Sequence, residues 1–266
     1  ASVTETEKVE KDTKQEKKKK SKMEKMIEEV KKLEDGNTKL EKILQRKGAK
    51  SLDDFLVCVI SKGRSENVPS IHALFQGNCK KYLPTWIVGK GEAEAYVLYF
   101  NYITFSCYTH SNHVLYSLKL QHRYKSCGAI NVVEGGSLCG SRNMAIQLAK
   151  SQNKICVEIS DDISRCVVIH SDEPWTKPAS LPECNALAMS FEWLRVSPPN
   201  AARYVELQMR ECGAKLGGAY PTQNKGQAFC NDVFSTDLFV VGDFLVIDPK
   251  SKPRFDEGMT LKEDYD

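Results

Sequence analysis

Residues 131–150 read NVVEGGSLCGSRNMAIQLAK, and their pattern sets the local architecture. A run of β-formers, Asn131 to Glu134, breaks into Gly135 and Gly136, and after Gly140 a helical periodicity opens at once, with Ser141 as its expected cap. A strand, a glycine turn and a helix N-terminus aim backbone N–H groups and the positive end of the helix dipole at one point, the geometry that holds an anion. The candidate anion-binding residues are therefore Gly135, Gly136, Gly140, Ser141 and Arg142. Gly135 and Gly140 have the spacing of a P-loop, but the lysine that would reach the β and γ phosphates is missing, because Gly140 is followed by Ser141 and Arg142. Nucleotide hydrolysis of the P-loop type is disfavoured.

The next segment, ICVEISDD at 155–162, mimics the apolar strand whose terminal aspartate would hold magnesium, a strand end that is common in proteins generally. The glycine loop also offers a nucleophile. In Ser137-Leu138-Cys139-Gly140-Ser141 the thiol has small residues two positions before and two after it, as a sharp strand-to-helix elbow requires. A helix N-terminus beside Cys139 would depress its pKa and supply oxyanion donors. Cys139-Gly140-Ser141 resembles the nucleophile segment of chymotrypsin-like viral cysteine proteases, which place glycine two residues before the cysteine where this chain has Ser137. The resemblance covers three residues and implies a cysteine hydrolase whose base is one of the five histidines; His170 is the candidate carried forward.

Upstream, AYVLYFNYITFSCY (95–108) and HVLYSLKLQHRY (113–124) read as an antiparallel hairpin, the first strand apolar on both faces, the second with one wet face. Lys119 and Arg123 on that face could track a nucleic-acid backbone. Cys107, His110 and His113 have CxxHxxH spacing across the turn, a weak zinc cluster because structural zinc sites usually pair two such knuckles.

At the N-terminus, residues 1–22 carry Lys17, Lys18, Lys19 and Lys20 and almost no apolar side chains, the composition of a disordered basic tail able to touch phosphates. From 23 to 48 the pattern becomes a heptad seam of Met23, Met26, Val30, Leu33, Asn37, Leu40 and Leu44, with Asn37 at an a position where one buried amide fixes coiled-coil register. Gly36 weakens that helix by about 1 kcal/mol. Two further local signals follow. Ser51 precedes Asp53 and Asp54 as the cap of a short helix before FLVCVI. SPPNAARYVELQMRECGAKLGG (197–218) is a helix capped at Ser197, with Pro198 first and Gly217-Gly218 as the expected stop.

Ten scattered cysteines without a CxxC pair point to a reducing compartment. No apolar run approaches the roughly 20 residues of a spanning helix, and the lysine-rich start lacks an apolar signal region, so an intracellular protein, in cytoplasm or nucleus and without a membrane partner, is expected. The net charge of +3 does not by itself call for nucleic acid. No cofactor is implied.

The expected fold is α+β: a coiled-coil helix at 23–48, then a mainly antiparallel β domain with two or three helices over 49–255, divisible near 172–182, and a charged tail at 256–266. The leading functional expectation is a non-enzymatic binding or assembly protein, dimerised through its 23–44 helix and reaching nucleic acid or an acidic protein surface through its basic arm. The alternative is a cysteine hydrolase or anion-binding enzyme using the 135–142 loop.

Overall fold

FLVCVI has no polar face to offer water, which is how a strand covered by helices on both sides reads, and ICVEIS departs from that only at Glu158 and Ser160. In the computed structural model, which describes residues 5–75, 82–97, 131–170, 191–221, 240 and 242–258, these two segments are β1 (Phe55–Ile60) and β4 (Ile155–Ser160), and they pair in parallel with Phe55 opposite Ile155 and Ile60 opposite Ser160. β2 (Thr85–Val88) lies parallel on the other side of β1, and β3 (Asn131–Glu134) lies parallel to β2. β8 (Phe244–Ile247) pairs antiparallel with β4, and β7 (Leu216–Gly218) antiparallel with β8. The order across this six-stranded sheet is β3-β2-β1-β4-β8-β7. A second sheet of two antiparallel strands joins β5 (Cys166–His170) to β6 (Glu192–Val196).

The protein is α+β, but its main sheet is mixed rather than mainly antiparallel. Four adjacent strands run parallel because helices carry the chain back between them. α2 (Val68–Leu74) follows β1, and α3 (Leu138–Ser151) follows β3. The strand expected from Ala95 is instead a helical turn at 93–97 where it is described; the remainder of the expected hairpin lies outside the described residues.

Alternating side chains of the strands feed two cores. One face of the sheet presents Cys58, Ile60, Ile87, Cys156 and Ile247 to Ala145, Ile146 and Ala149 of α3. The other presents Phe55, Val57, Val59, Trp86, Val157 and Ile159 to α2, to α4 (Pro198–Cys212), to the end of α1 (Glu5–Arg46) and to Val168 and Leu194 of the small sheet. Burying side chains of this size contributes about 1.5–3 kcal/mol each. α4 starts at the expected place, with Ser197 at the cap position and Pro198 in its first turn, but the Ser197 hydroxyl donates to Asn37 instead of capping the helix. The helix ends earlier than expected, at Gly213 with φ 76°, because residues 216–218 are taken by β7. Ser51 caps the short helical turn Leu52–Asp54, with Asp54 answering in a capping box.

The heptad seam is where the structure departs furthest from the expectation. α1 begins at Glu5, within the stretch expected to be disordered, and its seam residues from Leu33 on pack within this chain. Leu33, Asn37, Leu40 and Leu44 are buried, and α1 lies along β6 and α4. Asn37 Oδ1 accepts hydrogen bonds from Ser197 N (2.9 Å), Ser197 Oγ (3.1 Å) and Asn200 Nδ2 (3.0 Å). Glu41 pairs with Arg203, Lys39 with Glu192 and Glu29 with Arg195. Gly36 permits the close approach: a Cβ there would overlap the Arg195 carbonyl and stand 2.8 Å from its carbon. A buried amide satisfied by three donors serves an intramolecular seam as well as a coiled coil, so spacing alone does not separate the two. Val30 is half-buried; the side chains of Met23, Met26 and Lys17–Lys20 lie outside the described residues.

Candidate functional site

In an open sheet with parallel strands, ligands sit beyond the carboxyl ends of the strands, where successive connections leave in opposite directions. Here that point lies between β1 and β4. The chain leaves β1 towards β2 and β3, and returns across the sheet through α3 to β4. Both strands end in Ile-Ser: Ile60-Ser61 continues into Lys62, Gly63 and Arg64, and Ile159-Ser160 into Asp161 and Asp162.

These residues meet. The Ser61 hydroxyl donates to Asp161 Oδ2 and lies 2.6 Å from the Tyr96 hydroxyl. The Arg64 guanidinium spans both carboxylates, Nη2 on Asp161 Oδ1 and Nη1 on Asp162 Oδ2 at 3.3 Å. Ser160 Oγ donates to Asp162 Oδ1 at 2.6 Å. The two aspartates are not equivalent, since the Asp161 side chain is fully buried and that of Asp162 is 57% exposed. Burial pushes the Asp161 carboxyl above its ordinary range, against the downward pull of the Ser61 hydrogen bond and the Arg64 charge.

The loops around this cluster are braced. Tyr96, buried against Trp86 at 5.5 Å between ring centroids, accepts from Arg64 N at 3.1 Å. Glu92 Oε2 accepts from Gly63 N (2.8 Å) and Gly89 N (3.2 Å), tying the loop after β1 to the loop after β2. Ser160 N donates to Asp243 O at 3.0 Å, tying in the turn before β8. Lys62 and Lys90 are exposed on the first two loops. The result is a braced rim on which Asp162 and the Arg64 guanidinium are partly exposed beside Lys62 and Lys90.

The glycine loop borders the same end of the sheet, because β3 runs parallel to β1 and β4. Three of its donors bond within the chain. Ser137, not Ser141, caps α3 by accepting from Gly140 N at 3.0 Å; Gly135 N donates to Val88 O, and Ser141 N to Ser137 O. Gly135 is needed for close packing, since a Cβ would stand 2.6 Å from Ser141 Cα and 2.7 Å from Ile87 Cγ2, and Gly136 takes φ 94°. Arg142 turns into the protein instead of towards a ligand. It is 6% exposed, pairs with the buried Glu158 at 3.3 Å, donates to Gly242 O at 3.0 Å and lies 5.2 Å from the centre of the Phe255 ring. In that environment burial pushes Glu158 up to about 7, though Arg142 pulls the other way. Asn143 fastens the segment after β8, donating to Phe255 O and accepting from Phe255 N.

Cys139 is 2% exposed in the first turn of α3. His170 is on β5, whose Val168 joins the core on the face of the sheet away from α3. The side chain of His170, and all of Cys107, His110, His113, Lys119 and Arg123, lie outside the described residues. Of the described histidines, His72 is buried and accepts from Trp86 Nε1 at 3.0 Å, and burial lowers its pKa to about 4.

Sequence reasoning noted the aspartates that end ICVEISDD but named neither Asp161 nor Asp162 as a site residue, and it missed Ser61, Arg64, Glu92 and Tyr96. The available signal was the likeness of FLVCVIS to KICVEIS, two apolar runs each ending in serine and then charge. It becomes legible only once the two strands are known to be parallel neighbours.

Among the described residues no group of three or more His, Cys, Asp or Glu converges as a metal cage, and no helix is long and apolar enough to cross a membrane. The fold and site together define a mixed-sheet protein with an acidic and basic cluster at its strand switch point. Comparison with protein-family models, with curated proteins and with solved structures finds no match.

Proposed function

We propose that this protein binds a nucleoside diphosphate carrying a transferable group, such as a glycosyl unit, over the carboxyl ends of β1 and β4, and acts as a group transferase. The observation that carries the reading is the Arg64–Asp161–Asp162 cluster at the switch point. Its donor set fits a divalent cation of the magnesium or manganese kind. Such ions are held by one or two carboxylates plus substrate phosphates, not by an all-protein cage. Asp162 has the exposure to be the ligand, and Asp161, fixed by Ser61, sets the potential behind it. When bound, the cation would neutralise the charge of a departing diphosphate.

The chain's own residues supply the rest. Lys62 and Lys90 add positive charge on the rim. Glu92 and Tyr96 hold the loops in place before a ligand arrives, which reduces the ordering cost of binding. This reading develops the anion-binding alternative and relocates it from the 135–142 loop to the neighbouring strand ends. Self-association through the 23–44 helix is not part of it, because the described seam is covered by β6 and α4.

The test is equilibrium binding of ADP, GDP, CDP and UDP to the full chain with and without Mn²⁺. At least one should bind in a Mn²⁺-dependent way. Asp162→Asn should weaken it at least about tenfold, the size of one charge-assisted contact of roughly 1.4 kcal/mol, with thermal stability preserved. Failure of all four to bind with Mn²⁺, or indifference to Asp162→Asn, refutes the reading.

A further inference from the structure

The Arg64 side chain has a property that the brace around it does not share. Its backbone is fixed, with N donating to Tyr96 Oη at 3.1 Å and a helical turn starting at the next residue, Ser65. Its guanidinium is 44% exposed and held only at its tip by the two aspartates. The head can therefore swing without moving the loop. Both carboxylates keep an anchor if it leaves, Asp161 on the Ser61 hydroxyl and Asp162 on the Ser160 hydroxyl. Asp161 Oδ1 is buried and pairs with Arg64 Nη2.

We propose that Arg64 is a resident counter-ion that changes partners on binding: it neutralises Asp161 and Asp162 in the free protein and passes to the diphosphate of the ligand when a divalent cation takes Asp162. The proposal rests on the nucleoside-diphosphate reading of this site and adds a coupling to it. The planar guanidinium fork fits carboxylate and phosphate equally well, so the same group can serve both states. A cation arriving alone must displace Arg64 into water. A cation arriving with a diphosphate gives the guanidinium a new anionic partner, so each ligand improves the site for the other, a reciprocal coupling.

Arg64→Gln separates the two roles. Mn²⁺ alone is followed by the loss of the free-ion electron paramagnetic resonance signal, and Mn²⁺-dependent binding of ADP, GDP, CDP and UDP by calorimetry. Removing the guanidinium should tighten Mn²⁺ alone about fivefold or more and weaken the bound nucleoside diphosphate about tenfold, opposite changes from one substitution. Arg64→Lys, which keeps a charge but cannot span both carboxylates, should fall between Arg64→Gln and the unaltered chain in both measurements. A variant that has merely lost its fold would weaken both. If the unaltered chain binds a nucleoside diphosphate with Mn²⁺ but Arg64→Gln leaves Mn²⁺ affinity unchanged, or moves both affinities in the same direction, the exchange is refuted and the functional reading stands. If the unaltered chain binds none of the four, the functional reading falls and the exchange with it.

Discussion

Replacing Asn37 by leucine asks which surface the heptad seam was built for. In the structure its Oδ1 gathers three donors at 2.9, 3.1 and 3.0 Å, all inside the protein, at a residue with no exposed surface. Leucine leaves the Ser197 N–H and the Asn200 amide without that acceptor, and the Ser197 hydroxyl must turn elsewhere. A buried donor stranded in this way costs about 1–3 kcal/mol. Counting only the two that cannot rotate away gives roughly 2–6 kcal/mol, before any strain from the branched side chain. For a chain of this size each kcal/mol lowers the melting temperature by about 2–4 °C, so Asn37→Leu should melt roughly 8–16 °C lower at the middle of that range. A coiled coil predicts the opposite sign, because an asparagine at an a position sacrifices stability for register and leucine there strengthens the association. The assay is thermal unfolding followed by far-ultraviolet circular dichroism at several protein concentrations, with sedimentation of both forms. A variant that melts at or above the parent, with a midpoint that rises with concentration, would refute the intramolecular assignment.

Gly36→Ala offers the same contrast one residue away. Helix propensity alone predicts a gain of about 1 kcal/mol, whereas the overlap with the Arg195 carbonyl predicts a net loss of about 1–3 kcal/mol, measurable by urea unfolding. The buried Glu158 makes stability depend on pH. Its folded pKa, raised from 4.5 to about 7, means the native state holds the proton more tightly than the unfolded chain. Its contribution is therefore fully present below pH 4.5 and is lost as pH rises through 7. At 1.36 kcal/mol per pH unit that gap amounts to about 3 kcal/mol at most. Relative to Glu158→Gln, the unaltered chain should lose stability between pH 5 and pH 8; an unchanged difference across that window would contradict the assignment.

Local chemistry was legible in the sequence wherever one residue type and its neighbours suffice. Ser51 with Asp54 forms the cap box, Pro198 opens α4, and the glycines at 135–136 turn β3 into α3. The amphipathic period of α1 was equally legible, since burial of Leu33, Asn37, Leu40 and Leu44 follows the seam. Which partner covers the seam was not, because a stripe of apolar residues specifies only that something apolar must lie against it. The same limit explains the sheet. FLVCVI and ICVEIS announce strands buried on both faces, but nothing in either run says that they are parallel neighbours with Ser61 level with Asp161.

Alone, then, the sequence determined the Ser51 cap box, the Pro198 start of α4, the glycine turn into α3 and the acidic end of β4, all of which depend on contacts within a few residues. Tertiary structure decided the rest: that Arg142 is drawn inward by Glu158, that α1 folds back onto β6, and that Arg64, nearly a hundred positions before Asp161 and Asp162, closes over both. Those outcomes depend on strand order and direction, set by how the whole chain buries its apolar surface, and a side chain far along the chain carries no local trace of where that packing will place it.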